Sequence, residues 1–187
     1  MLIPMLVAGL LAGATPQVGE VAPEFTVEDT TGKTYTLSQM VKNGPVILAF
    51  FPKAFTSGCT RELTAYRERY AEIEKLSGQV LAVSMDDKET LTKFKESLKA
   101  PFAFIPDPEG KLASLYDVKT SDEARAPGMK FANRFTFVIG EDGKVLKVES
   151  GKDAIDPAGA IASCPMRKQK ADTARDAGAK QAQPQKK

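Results

Sequence analysis

Residues 45–62 read Pro45-Val46-Ile47-Leu48-Ala49-Phe50-Phe51-Pro52-Lys53-Ala54-Phe55-Thr56-Ser57-Gly58-Cys59-Thr60-Arg61-Glu62. Behind the opening Asn43-Gly44, the apolar run from Val46 to Phe51 is unbroken. A strand with one wet face would alternate, so an unbroken run indicates a strand covered on both faces, as in a parallel sheet. From residue 57 the period changes, with Leu63, Tyr66, Tyr70 and Ile73 at offsets of three and four. That is the spacing of one helix face, and it predicts a helix over 57–76, with Ser57-Gly58 supplying cap chemistry at its start and Ser77-Gly78 ending it. Cys59 therefore falls where a buried strand has ended and a helix begins. Sites in open α/β sheets lie outside the carboxyl ends of the strands.

Working outward, alternating runs Phe25-Thr26-Val27 and Tyr35-Thr36-Leu37 flank Asp29-Thr30-Thr31-Gly32, which reads as a hairpin. Downstream of the helix a second buried strand is predicted over 80–85. Asp86-Asp87 opens a helix with Leu91, Phe94 and Leu98 on its apolar face, closed by Ala100-Pro101. A strand over 102–105 and a short helix over 111–116 follow. Residues 117–130, with Pro127-Gly128 and charges but no period, read as a long surface loop. Strands over 134–139 and 144–148 are joined by Glu141-Asp142-Gly143, in which Asp-Gly is a strong hairpin signal. A weak helix is expected over 156–162, and no internal repeat is present. The order predicts an α/β layer fold: an N-terminal β-hairpin, then a mixed central sheet flanked by helices.

The 187 residues are 42% hydrophobic and 27% charged, a globular balance and enough chain for one domain. The chain has no His, which removes Ser-His-Asp and Cys-His catalysis and every His-ligated metal or haem site. With Cys59 and Cys164 as the only cysteines, a four-thiolate cluster within one chain is excluded as well. No phosphate-binding GxxxxGK[ST] occurs. The expectation is therefore no cofactor and no metal, with chemistry left to carboxylates, Lys, Tyr or a cysteine.

The ends differ from the body. Residues 1–14, MLIPMLVAGLLAGA, are apolar and shorter than the roughly 20 residues a bilayer-spanning helix needs. They fit the apolar part of a signal peptide, with Ala12-Gly13-Ala14 as a cleavage point before Thr15, although the first basic residue is Lys33. Export to an oxidising compartment, the periplasm, is the expectation, with a disulfide bond open to the two cysteines; cytoplasmic or membrane-anchored placements are the alternatives. No stable membrane insertion is expected after processing. Residues 165–187 form a basic tail with seven Lys and Arg (Arg167, Lys168, Lys170, Arg175, Lys180, Lys186, Lys187) against Asp172 and Asp176, read as disordered. The domain proper is then 15–164. It is mildly acidic and offers no electrostatic footprint for nucleic acid.

Cys59 in a first helical turn feels the positive end of the helix dipole and unpaired backbone N–H groups, which favour the nucleophilic thiolate. Lys53 and Arg61 are near in sequence and add positive charge. The bland alternative is a small buried hydrophobe, the common fate of a free cysteine.

Pro52, Thr56 and Cys59 stand in the spacing Pro-x-x-x-Thr-x-x-Cys, which resembles the active-site signature of the peroxiredoxins, thiol peroxidases on a thioredoxin-like fold. The wider Phe-Pro-Lys-Ala-Phe-Thr-x-Gly-Cys-Thr-x-Glu is most similar to their bacterioferritin comigratory protein or peroxiredoxin Q branch. Val21-Ala22-Pro23-Glu24-Phe25 resembles the family's N-terminal entry, and Asn133-Arg134-Phe135-Thr136-Phe137-Val138-Ile139 its arginine-bearing strand. The likeness runs over 18–151 in the expected order.

The resemblance implies a peroxidatic role for Cys59, a peroxide-binding hydroxyl on Thr56, a pocket shield in Pro52, an arginine holding thiolate and peroxide in Arg134, and an acid orienting that arginine in Glu62. It implies a hydroperoxide as substrate, a thioredoxin-like or small-thiol reductant, and a monomer or homodimer. The sequence departs from that branch at its second cysteine, since the position five after Cys59 is Thr64. Cys164, in Ser163-Cys164-Pro165, is then a resolving thiol, a structural cysteine or uninvolved. The rival readings are a thiol-disulfide exchanger, for which the Cys-x-x-Cys pair is missing, and a redox-sensing or scaffold protein without turnover. A copper carrier on the same fold is weaker still without His.

Overall fold

The computed structural model describes residues 14–121 and 130–165. The leader expected over 1–14, except Ala14, the tail expected over 165–187, except Pro165, and residues 122–129 lie outside the described residues. In chain order the elements are β1 (Thr26–Glu28), β2 (Thr34–Thr36), α1 (Leu37–Met40), β3 (Val46–Phe50), α2 (Ser57–Glu68), α3 (Tyr70–Lys75), β4 (Gln79–Ser84) and α4 (Lys88–Leu98). They continue with β5 (Ala103–Pro106), α5 (Lys111–Leu115), β6 (Lys119–Ser121), β7 (Lys130–Ala132), β8 (Phe135–Ile139), β9 (Val145–Ser150), a 3-10 turn (Asp153–Ile155) and α6 (Ala158–Ser163).

The central sheet has the order β5-β4-β3-β8-β9, with β3, β4 and β5 parallel and β8 antiparallel to both of its neighbours, β3 and β9. Strand β3 lies at its centre with every residue buried, as the unbroken run requires. Its side chains alternate between two cores. Val46, Leu48 and Phe50 join Phe25, Leu37, Tyr116 and Phe137 on one face, while Ile47, Ala49 and Phe51 join Leu63, Tyr66, Phe94 and Phe104 on the other. The first core is closed by the N-terminal hairpin and α5, the second by α2, α3, α4 and α6.

The hairpin is pinned by Asp29, whose Oδ1 accepts from the backbone N–H of Thr31 and Lys33 at 2.8 and 3.0 Å. It shields the outer edge of the sheet, where the Thr30 N–H donates to the Phe104 carbonyl at 3.0 Å. Leu37, expected in the second hairpin strand, instead opens the short helix α1 and turns into the core at 2% exposure.

Three further expectations need correction. The single helix over 57–76 breaks at Arg69, whose φ of −101° and ψ of 10° leave the helical well. Beyond the break, Tyr70 packs on Phe102, with ring centroids 5.8 Å apart, and Ile73 is completely buried. The surface loop over 117–130 is bounded by a strand pair, β6 with β7, in register Lys119 with Ala132. Propensity cannot reveal this, because three-residue strands owe their existence to each other. The cap of α2 is Thr56 rather than Ser57-Gly58, and that of α4 is Asp87, whose side chain accepts from the Thr90 N–H at 2.7 Å. Among the described residues no helix is long and apolar enough to cross a membrane.

The turn before β3 tests the packing. Gly44 has φ 149°, and a Cβ there would lie 2.0 Å from the Ser77 carbonyl oxygen, whereas Gly32, at φ 88°, has open space around it. Gly44→Ala is expected to lower stability by about 2 kcal/mol more than Gly32→Ala in urea unfolding, the scale of an overpacked site. Equal losses would mean that the approach of residue 77 to this turn does not constrain it.

Candidate active site

Strand register builds the site. Because β8 runs antiparallel to β3 with Phe50 opposite Phe135, the start of β8 lies beside the end of β3. Arg134 immediately precedes β8, and Cys59 lies in the first turn of the helix that follows β3. Residues 75 positions apart thus meet: Arg134 Nη2 donates to Cys59 Sγ at 3.2 Å. Arg134 Nη1 forms an ion pair with Glu62 Oε2, the carboxylate one turn further along α2. Glu62 is fully buried, and the Arg134 side chain is 12% exposed. Gly58 leaves room for this arrangement, since a Cβ there would sit 3.3 Å from Arg134 Nη2.

Cys59 itself is 1% exposed and shares its core with Leu63, Phe51 and Ala54. A guanidinium fixed against a covered sulfur acts with little water between them, so its charge is felt more strongly than at the surface. Removing either member of the buried Arg134–Glu62 pair would strand a charge, at a cost of about 3–5 kcal/mol.

Thr56 and Pro52 sit on the connection between β3 and α2. Thr56 is exposed and occupies the cap position of α2 with extended backbone, and its hydroxyl donates to the Lys53 carbonyl at 3.0 Å rather than accepting from the helix N–H groups. Pro52 is half-buried just after β3. Lys53, counted in the sequence among the charges near Cys59, is paired with Asp86, Nζ to Oδ1 at 2.6 Å. Arg61 is exposed.

Sequence reasoning missed two features. Asp86 is buried and tied to the loop that carries Thr56. A second polar group lies behind the ion pair: Tyr66, one turn beyond Glu62, is fully buried near Thr136 and Glu149, which face each other across β8 and β9. Burial pushes the Tyr66 phenol and the Glu149 carboxyl upward from their usual ranges. A Tyr at helical spacing reads simply as core, so only the cross-strand register could have pointed to this group.

Cys164 forms no disulfide with Cys59, although both are buried in the same core. Both thiols are free. Cys164 ends α6 with Sγ donating to the Ala160 carbonyl at 3.4 Å. Burial pushes its thiol up to about 11.

The comparisons with known proteins converge on one family. The family model described as the AhpC/TSA family matches residues 18–148. Peroxiredoxin Bcp of Bacillus subtilis is 32% identical over 133 residues, 71% of this chain and 84% of that protein. The crystal structure of peroxidoxin BcpB from Mycobacterium tuberculosis superimposes with a TM-score of 0.72 at 30% identity, covering 79% of this chain and 96% of that one. Peroxiredoxin Q of Xanthomonas campestris shares the fold, with a TM-score of 0.68 at 21% identity over 80% of this chain and 95% of that one.

The burial of Cys164 has a measurable consequence. In a Cys59→Ser protein, the remaining thiol should react with a disulfide reagent at pH 8 about 10²-fold more slowly when folded than in urea, because the thiolate is the reacting form. The unfolded chain releases this proton first, so stability from this group holds below the ordinary thiol range and falls as pH rises toward about 11. Equal rates in the two states would place Cys164 at an open surface.

Proposed function

The chain belongs to the AhpC/TSA family, the peroxiredoxins, and from that premise we propose that Cys59 is the sulfur through which it reduces hydrogen peroxide or alkyl hydroperoxides. It is a thiol-dependent peroxidase. The observation that supports assigning the chemistry to Cys59 is the contact of its Sγ with Arg134 Nη2 at 3.2 Å, with the other guanidinium nitrogen held by buried Glu62.

The Cys59 thiolate attacks one oxygen of the hydroperoxide. An S–O bond forms as the O–O bond breaks, and the sulfur is oxidised by two electrons to a sulfenic acid. The other oxygen leaves with the bonding pair and takes a proton, departing as water or an alcohol. Negative charge moves from sulfur to that leaving oxygen, so a cation already fixed beside Sγ lowers the barrier without reorganising. Arg134 is that cation, and Glu62 positions it. Thr56, whose proton is committed to the Lys53 carbonyl, offers lone pairs to the O–H of the incoming hydroperoxide. Pro52 shields the sulfur from water.

The sulfenic acid returns to thiol through a disulfide, and a thioredoxin-like or small-thiol reductant completes the cycle. Cys164 is proposed as the resolving thiol, within one chain or between two copies. This requires the two buried, free thiols to meet, with Cα atoms within about 7 Å. Residues 1–14 are proposed to direct export to the periplasm, where such a disulfide persists.

Cys59→Ser should abolish peroxide consumption with the fold intact, and Arg134→Met should slow it by about 10² or more, as expected on losing a donor to developing charge. Activity retained in Cys59→Ser and lost in Cys164→Ser would overturn the assignment. Masses after one equivalent of peroxide distinguish the routes. An internal or intermolecular disulfide that vanishes in Cys164→Ser supports resolution by Cys164, and a lone sulfenic acid with normal turnover in Cys164→Ser removes it.

A further inference from the structure

Asp86 lies between β4 and α4, its side chain only 2% exposed. It does not cap α4, a task performed by its neighbour Asp87. A buried carboxylate is costly unless donors surround it. Here they do. Oδ2 accepts from the Ala54 N–H at 2.7 Å and from the Ser84 hydroxyl at 2.7 Å, while Oδ1 faces Lys53 Nζ at 2.6 Å. The Ser84 hydroxyl oxygen is held in turn by the Asp86 N–H at 3.1 Å. Two of these partners come from the β3–α2 connection.

That connection is bent in a way its residues would not choose. Phe55 has φ 62°, a left-handed conformation costing a bulky residue about 1–2 kcal/mol. It is 56% exposed, so burial does little to offset the strain, and its ring rests on Phe94 with centroids 4.9 Å apart. Ala54, immediately before it, is fixed by Asp86, and Thr56, immediately after it, is fixed to Lys53. The left-handed turn is held from both sides, and it delivers Thr56 to the cap of α2, three residues before Cys59.

We propose that Asp86 is a positioning residue for peroxide reduction: its buried carboxylate clamps Lys53 and Ala54 and thereby sets the Thr56 hydroxyl over Cys59. Without the clamp the connection relaxes toward ordinary extended backbone and Thr56 moves off line. A displacement of about 1 Å in a reacting geometry costs up to about 10² in rate. The proposal rests on Cys59 being the peroxidatic sulfur.

The test uses the full chain with Cys164→Ser, so that one thiol remains, and measures two second-order rates on Cys59: oxidation by hydrogen peroxide and alkylation by iodoacetamide, which needs the sulfur but no aligned O–O bond. Asp86→Ala is expected to slow oxidation at least about tenfold while alkylation changes less than about twofold. Asp86→Asn, whose amide oxygen still accepts from Ala54, should recover part of the loss. Should Asp86→Ala fail to fold, Asp86→Asn and Lys53→Met, the latter at the exposed end of the pair, must show the same split at smaller size. Parallel changes in both rates, or no change in either, overturn the proposal. Complete alkylation of Cys59 must also abolish turnover in the unsubstituted protein; persistent turnover would bring down the reading of Cys59 instead.

Discussion

One buried guanidinium ties the molecule together. Arg134 spans the sulfur of Cys59 and the carboxylate of Glu62, joining the start of β8 to the first two turns of α2. Neither partner could be buried alone at acceptable cost, since an unpaired charge in a dry core is destabilising by several kcal/mol. The pair therefore makes folding and site assembly the same event. When β8 docks beside β3 with Phe135 opposite Phe50, the cation arrives at the sulfur.

The rest of the architecture serves that junction. A central strand buried on both faces gives α2 a fixed platform, with Phe51, Leu63 and Tyr66 packed in the same core as Cys59. The connection between platform and helix is short and strained at Phe55, and its anchors come from the neighbouring strand β4 through Asp86. Cys59 and Glu62 thus stand on α2 and Arg134 at the start of β8, and the irregular connection that carries Thr56 is secured from outside. Such preorganisation is what electrostatic stabilisation of a leaving oxygen demands, because donors that must reorient give back much of their benefit.

The sequence made the framework readable because its signals are local. The apolar run ending at Phe51 and the helical spacing of Leu63 and Tyr66 located the strand, the helix and Cys59 at their junction from periodicity alone. Arg134 was different. Its approach to Cys59 depends on antiparallel register between segments 75 residues apart, which no local pattern encodes, so only the resemblance to a known family pointed to it. Asp86 was misread for a related reason: of two adjacent acids either can cap a helix, and only the fold shows that Asp87 caps α4 while Asp86 turns inward. The break at Arg69 and the pairing of β6 with β7 likewise depend on tertiary partners. Cys164 was legible only as the other thiol, and its burial at the end of α6 depends on tertiary packing that no local pattern encodes.

If Arg134 and Glu62 act as one unit upon Cys59, a double-mutant cycle measures their coupling directly. The rate constant for oxidation of Cys59 by hydrogen peroxide would be determined in the unsubstituted protein, Glu62→Gln, Arg134→Met and the double variant. If Glu62 acts through Arg134, the second substitution adds little to the first, giving a coupling of about 1 kcal/mol or more, within the range for contacting residues. Additive losses, with Glu62→Gln slowing the reaction equally whether or not the arginine is present, would contradict it.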